Sequence, residues 1–292
     1  VTGAAAASIL AATITKTPRP STWRAAIKGN FGMGDTNAAT AAKQLMDAWE
    51  AGDILETLPP KLAPKTEAEA TAINDVILAN FAHPIGGWKI GATAEAAQKA
   101  LGLTQPFVGA IRKANVIDSP ANFTFADVNR PIIESEYAYR LKQDLPVRKK
   151  AYSRTEVEAA IGSIIIGIEM PLSRLSAENN LGPLGLIADH GGTGYFIVGA
   201  EIADWRKVDA VNTEVALSFD AAEAGRGTGA GMMGDPVNAL VWFVNHMSAK
   251  GIGLEAGQFV TTGSCTGVIP APAAVKAVAD FGPEGEVVLT LS

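Results

Sequence analysis

Glu134 and Glu136 stand two apart in the segment Ile133-Glu134-Ser135-Glu136-Tyr137-Ala138, and a third acid, Glu169, ends the apolar run Ile164-Ile165-Ile166-Gly167-Ile168-Glu169. Both segments read as β-strands. Residues i and i+2 of a strand project from the same face, so Glu134 and Glu136 share one. Two like charges on one face beside a core are costly unless a positive charge lies between them. A divalent cation supplies that charge, and three carboxylates with water suit a hard ion, Mg²⁺ or Mn²⁺. The same spacing also fits an exposed edge strand with solvated glutamates, and spacing by itself does not choose between the two.

Lys89 lies between Trp88 and Ile90 in the glycine-flanked segment Gly86-Gly87-Trp88-Lys89-Ile90-Gly91. In a central strand, burial lowers its pKa and makes it a general base or an anchor for an anionic substrate; at an edge, it reaches water. His190 follows Asp189 in a glycine-rich turn and faces either a site or solvent. The three histidines, His83, His190 and His246, form no pair at metal-ligand spacing. Gly229-Ala230-Gly231-Met232-Met233-Gly234 has the letters of a dinucleotide fingerprint, with Glu255 about 20 residues on. A Gly/Ala-rich stretch separates it from the strand expected at 212–219, so it reads better as a hairpin tip before a helix starting near Asp235-Pro236. Ser264 is not in a nucleophile elbow.

The elements that must position these groups follow from spacing and punctuation. Helices are expected at 37–51, stopped by Gly52, and at 66–81, capped by Thr66 with Glu67 and Glu69 in its first turn. Further helices are expected at 94–100, 153–160 and 236–250. Strand-like runs occupy 86–92, 107–111, 130–141, 162–170, 195–202, 212–219, 258–262 and 286–291. Strands do not alternate with long helices, which disfavours a doubly wound sheet and favours an α+β fold with a mixed, rolled sheet. Residues 1–84 read as an N-terminal arm and helical region and 85–292 as the core, together one structural unit.

Composition narrows the function. The chain has 292 residues, 48% hydrophobic and 18% charged, with a net charge of −6 and no basic cluster. Polyanion binding needs clustered Lys and Arg and is excluded on that ground. No apolar run is long enough to span a bilayer. Cys265 is the single cysteine, so no intrachain disulfide forms, which is compatible with a reducing cytosol; it reads as a small packed residue. The apolar stretch Ala4 to Ala12 lacks a positive flank and reads as a helical or extended arm, with processing of the terminus left open.

Taken in order, these segments resemble the 2-keto-4-pentenoate hydratase and 4-oxalocrotonate decarboxylase family of the fumarylacetoacetate hydrolase superfamily, from about Ala38 onward. Gly87-Trp88-Lys89-Ile90-Gly91 is similar to the family's lysine strand, Glu134-Ser135-Glu136 to its paired metal carboxylates, and Ile168-Glu169 to its third ligand, with Ser173-Arg174 nearby. Leu101 to Pro106, Ala188-Asp189, Phe196 to Gly199, Asp235 to Trp242, and Thr262-Gly263-Ser264 match further blocks. The resemblance implies a mixed β-roll with peripheral helices, Mg²⁺ or Mn²⁺ on Glu134, Glu136 and Glu169, homo-oligomers, and small 2-keto or 2-hydroxydienoate substrates from aromatic catabolism. It makes Lys89 the candidate for proton transfer or anchoring, and Thr262 and Ser264 candidates for carboxylate contacts.

The chain departs from the family pattern at three points. Phe107 stands where an acid is usual after Gln-Pro, suggesting contact with a bulkier or more apolar substrate. Pro171 and Leu172 precede Ser173-Arg174 where an Asp is common, and His190 replaces an Asn and is a candidate to supply the missing acid–base function. The expectation is a cytosolic, metal-dependent lyase hydrating a 2-hydroxy-2,4-dienoate, with no nucleic acid or membrane partner. The alternatives are a decarboxylase or tautomerase on a related keto acid, and a non-catalytic keto-acid-binding homologue.

Overall fold

The computed structural model describes residues 36–128, 130–176 and 181–292. The Ala-rich arm and the Gly29–Gly34 patch lie outside the described residues. The first helix, α1 (Thr36–Ala51), buries Ala38, Ala41, Ala42, Leu45 and Ala48 along one stripe and stops at Gly52, whose φ of 72° a side chain would resist. The second, α2 (Glu67–Asn80), starts where Thr66 accepts a hydrogen bond from the Glu69 amide. The two helices share an apolar cluster with Phe107, Leu175 and Ile187 from farther along the chain.

The centre is a mixed, curled sheet. Its strands are β1 (Ile85–Gly91), β2 (Phe107–Arg112), β3 (Val116–Asp118), β5 (Ile132–Leu141), β6 (Ile161–Met170), β7 (Tyr195–Ile202) and β10 (Phe259–Ser264), in the order β2-β1-β10-β5-β6-β7-β3. A short β11 (Ile269–Pro270) pairs with β5 off this path. The β1–β10 and β3–β7 pairs are parallel and the others antiparallel. A second sheet, ordered β4-β13-β12-β8-β9, is built from β4 (Ala121–Phe123), β8 (Val215–Phe219), β9 (Ala222–Gly227), β12 (Val275–Asp280) and β13 (Glu286–Leu291). The main core lies between the sheets and under the helix α6 (Pro236–Ala249), and holds Tyr137, Tyr139, Ile164, Ile166, Ile168, Phe243 and Val260. Those strand residues occupy one parity. The other parity of β5 and β6 carries the three glutamates.

On the glutamate face the roll is filled by aromatic rings that enter the space glycines leave. A Cβ on Gly167 would lie 2.2 Å from the Phe196 ring, one on Gly87 would lie 2.5 Å from Phe259, and one on Gly91 would lie 2.1 Å from Phe107. Phe196 and Phe259 pack with ring centroids 4.8 Å apart, beside Ala138 and Ile165. This interdigitation lets the strands carry large rings and a polar site on one concave face.

Several elements differ from the sequence expectation. The Gly/Ala-rich stretch after residue 219 forms β9, hairpinned to β8 through Asp220 and Ala221; the motif at 229–234 is a 3-10 turn leading into α6 rather than a hairpin tip. Alanine and glycine have low strand propensity, and pairing to β8 overrides it. The strand β12 and the helix α5 (Gly182–Ala188) were also not anticipated; glycine and proline mask the latter. The helix α6 begins where expected, with the Asp235 side chain accepting from the Val237 amide and Pro236 in the first turn.

Gly109 on β2 touches the turn that follows α5: a Cβ there would sit 2.0 Å from Thr193 Oγ1 and 2.4 Å from the His190 carbonyl oxygen. Gly109→Ala should therefore cost about 1–3 kcal/mol of stability, read as a lower midpoint in chemical denaturation.

Candidate metal centre

Strand register brings the three acids together. β5 and β6 pair Glu134 directly with Glu169, and Glu136 with Gly167. Residues directly opposite in an antiparallel pair share a face. The result is a cluster in which one carboxylate oxygen from each of Glu134, Glu136 and Glu169 lies within 4.8 Å of the others. Glu136 and Glu169 are each only 1% exposed, and Glu134 is half-buried.

Neighbouring strands fix the orientation of these carboxylates. In β10 the register shifts between Thr261 and Ser264, and Gly263 takes a φ of 109°. That irregularity turns the Gly263 amide to donate to Glu136 Oε2 at 2.9 Å. Thr261 Oγ1 donates to Glu169 Oε2 at 3.3 Å. On β1, Lys89 is buried, and its Nζ stands 2.9 Å from Glu169 Oε1. The pair is ionic in distance but lacks hydrogen-bond direction, so Glu169 Oε1 is a buried oxygen with no hydrogen-bond donor.

The electrostatics are those of crowded acids. Burial raises Glu134 to about 7, with Lys89 pulling the other way and Glu169 adding to the rise. Burial, with repulsion from Glu169 and Glu134, raises Glu136 well above the carboxylate range. Burial acts to lower the Lys89 pKa, but attraction to Glu169, Glu134 and Glu136 outweighs it and the net shift is upward. The expectation of a lysine whose pKa falls on burial is thus corrected: the glutamates facing Lys89 hold it as an ammonium.

The donor set fits a hard divalent ion. All three ligands are carboxylates, Glu169 Oε1 has no partner beyond its ion pair with Lys89, and twice a metal–oxygen distance of about 2.0–2.6 Å spans the observed separation. Three negative charges and one positive leave a deficit that a divalent cation neutralises.

The other anticipated residues sit around this cluster in different ways. The Phe107 ring centroid is 5.6 Å from Lys89 Nζ, within cation–π range, and the residue is buried. The Ser264 hydroxyl, half-exposed at the end of β10, donates to the Gly267 carbonyl at 2.7 Å. The Thr262 hydroxyl donates to the Tyr137 carbonyl at 2.9 Å, bracing β10 against β5. His190 is buried, stacks on Phe81, and has both ring nitrogens engaged: Nδ1 with Asn74 Oδ1 at 2.8 Å, and Nε2 accepting from the Ala110 amide at 2.9 Å. Burial and nearby Arg174 lower its pKa to about 3. This arrangement removes the free lone pair that acid–base work by His190 requires.

Thr261 and the Gly263 amide were missed by the sequence reading. Alternation along β10 would have pointed to Thr261, but the strand irregularity beside it hides which hydroxyl faces the acids. Arg174, noted only as a neighbour, is buried and donates to the carbonyls of Leu172, Asp189 and Thr193; its guanidinium lies over the Trp49 ring from α1, as does that of Arg112.

The fold is fumarylacetoacetate hydrolase-like. The 4-oxalocrotonate decarboxylase from Pseudomonas putida G7, solved with magnesium and adipate, superimposes with a TM-score of 0.78 at 21% identity, over 87% of this chain and 97% of that one. In sequence, the 2-keto-4-pentenoate hydratase of Burkholderia vietnamiensis (strain G4 / LMG 22486) is 28% identical over 262 residues, 88% of this chain and 98% of the relative. The 2-hydroxypent-2,4-dienoate hydratase of Pseudomonas putida is 30% identical over 167 residues, 57% of this chain and 74% of the relative. The chain belongs to the 2-keto-4-pentenoate hydratase family. No protein-family model matches it.

The raised pKa of Glu134 has a definite consequence. A folded-state value near 7 against an ordinary 4.5 means the folded protein holds this proton more tightly. The stability so gained is complete below about pH 4.5 and is lost as pH rises through about 7. A divalent ion replaces the proton, so the rise in melting temperature on adding Mg²⁺ should be larger at pH 8 than at pH 5.5. Glu136→Gln should abolish that rise while leaving the metal-free protein no less stable at pH 8. His190→Ala strands the Ala110 amide and Asn74, and should cost about 1–3 kcal/mol without changing the pH profile of any turnover.

Proposed function

We propose that the protein is a metal-dependent hydratase that adds water to a 2-hydroxy-2,4-dienoate by way of its 2-keto tautomer. The observation that carries this reading is the cluster of Glu134, Glu136 and Glu169 with Lys89 against it, in a chain of this family. Glu134, Glu136 and Glu169 would hold Mg²⁺ or Mn²⁺, as the hard oxygen donor set favours. When bound, the ion offsets negative charge on the substrate's 2-oxygen and carboxylate as the enolate forms.

The chain's own residues do the rest. Lys89 holds a proton at Nζ and is the candidate to deliver it to the substrate or to pair with its carboxylate. Thr261 and the Gly263 amide keep Glu169 and Glu136 turned toward the ion. Phe107 covers Lys89 on one side and excludes water there. Ser264, at the half-exposed end of β10, is the candidate contact for the substrate carboxylate. Thr262 and His190 position β10 and β2. We assign the protein to the cytosol, consistent with its lone buried thiol, as a homo-oligomer in which residues 1–84 and 85–292 act as one unit. The apolar cluster shared by α1, α2 and Phe107 supports that last assignment. No helix among the described residues is long and apolar enough to cross a membrane.

Two other readings have an observation each. Likeness in fold to a 4-oxalocrotonate decarboxylase favours decarboxylation, and Phe107 in place of an acid favours a binding protein without turnover. Incubation with Mg²⁺ and 2-hydroxypenta-2,4-dienoate, following loss of dienol absorbance, separates them. The expected result is loss of absorbance without CO₂ release. Lys89→Met should lower kcat/KM at least a hundredfold with Mg²⁺ binding retained. Mg²⁺-dependent binding with no turnover would select the binding protein, and CO₂ release from a dicarboxylic analogue the decarboxylase.

A further inference from the structure

A cavity of about 510 Å³ lies at the ends of the two strands that carry the carboxylates, and none of the three glutamates lines it. Its relation to them follows from position along the strands. Ile132, in its lining, is two residues before Glu134 on β5; Pro171 is two residues after Glu169, just beyond the end of β6. Residues i and i+2 share a face about 7 Å apart. Pro131 and Leu172, of the opposite parity, line it too, so the cavity lies at the ends of β5 and β6 that carry the glutamates. The helix α5, through Leu186, and the segment after β6, through Leu172, also line it.

The lining has a consistent chemistry. Leu101, Ile132, Leu172 and Leu186 are each half-buried, the state of apolar side chains that border a space rather than fill it. Among the described lining residues, Arg130 is the single charged group, and it is exposed. None of the described lining residues is a carboxylate. The volume falls in the range of about 300–1,000 Å³ typical of sites for drug-sized ligands, far more than a five-carbon acid fills.

Resting on the keto-acid reading of the metal centre, we infer that this cavity receives the distal part of the substrate, and that the part is an uncharged apolar substituent of at least four carbons or an aryl ring. The keto-carboxylate end lies at Glu134, Glu136 and Glu169. The tail runs past the ends of β5 and β6 toward Ile132 and Leu172. Arg130, exposed and water-screened, is a poor partner for a distal carboxylate, which would have to cross the apolar lining to reach it.

Calorimetric titration of the Mg²⁺-loaded protein with straight-chain 2-oxo acids, from 2-oxobutanoate to 2-oxooctanoate, tests this without requiring turnover. Burial of each added methylene should tighten binding by roughly fourfold, and by at least tenfold across the series. Leu186→Glu and, independently, Ile132→Trp should flatten this dependence. A flat series in the wild-type protein overturns the inference, whatever then fills the cavity. So does tighter binding of 2-oxooctanedioate than of 2-oxooctanoate, which would assign Arg130 to a distal acid. A retained chain-length dependence with no hydration of any dienoate leaves the cavity assignment standing and removes the hydratase reading. Hydration of 2-hydroxypenta-2,4-dienoate with a flat series does the reverse.

Discussion

Three carboxylates and one ammonium share a space from which water is largely excluded, and that imbalance governs the site. Desolvation of a charge is expensive. Without a cation the protein meets the cost in part by taking up protons, as the elevated values of Glu134 and Glu136 indicate. Lys89 offsets part of the remainder and is itself kept charged. The centre is thus poised to exchange protons for a divalent ion, which is a reason for a folded protein to tolerate three acids in one place.

That arrangement constrains the rest of the architecture. Carboxylates on β5 and β6 converge because the two strands pair in antiparallel register. Lys89 reaches them because β10 lies between β1 and β5 in the sheet and the sheet curls. Thr261 and Gly263 serve the acids because β10 is irregular just there. The roll must also be dry on the same face, and Phe196, Phe259 and Phe107 make it so. The N-terminal helices join through an aromatic and cationic stack, in which Trp49 is held by Arg112 and Arg174 and lies beside His190.

Much of this was legible in the sequence. Alternation put Glu134 and Glu136 on one face, and the isoleucine run leading to Glu169 marked a buried partner strand. The capped helices and the Asp235-Pro236 helix start were readable from local chemistry. What escaped depends on long-range pairing. β9 is poor in strand formers and exists through its hairpin partner β8. The direction of the Lys89 shift depends on which charges face it, and no local pattern encodes that. His190 looks like a catalytic residue in a glycine-rich turn, but Asn74 and Ala110, distant in sequence, occupy its nitrogens. The apolar cavity also needs stretches scattered from Leu101 to Ala271 to be brought together.

The glycine–phenylalanine contacts inside the roll have a consequence for how this sequence can drift. Gly167 with Phe196, Gly87 with Phe259 and Gly91 with Phe107 each behave as one object divided between two strands. Enlarging the glycine alone forces a ring out, and shrinking the ring alone leaves a void beside the acids. Accepted change at these positions should therefore come in matched pairs, so that six residues far apart in the chain amount to three units of inheritance.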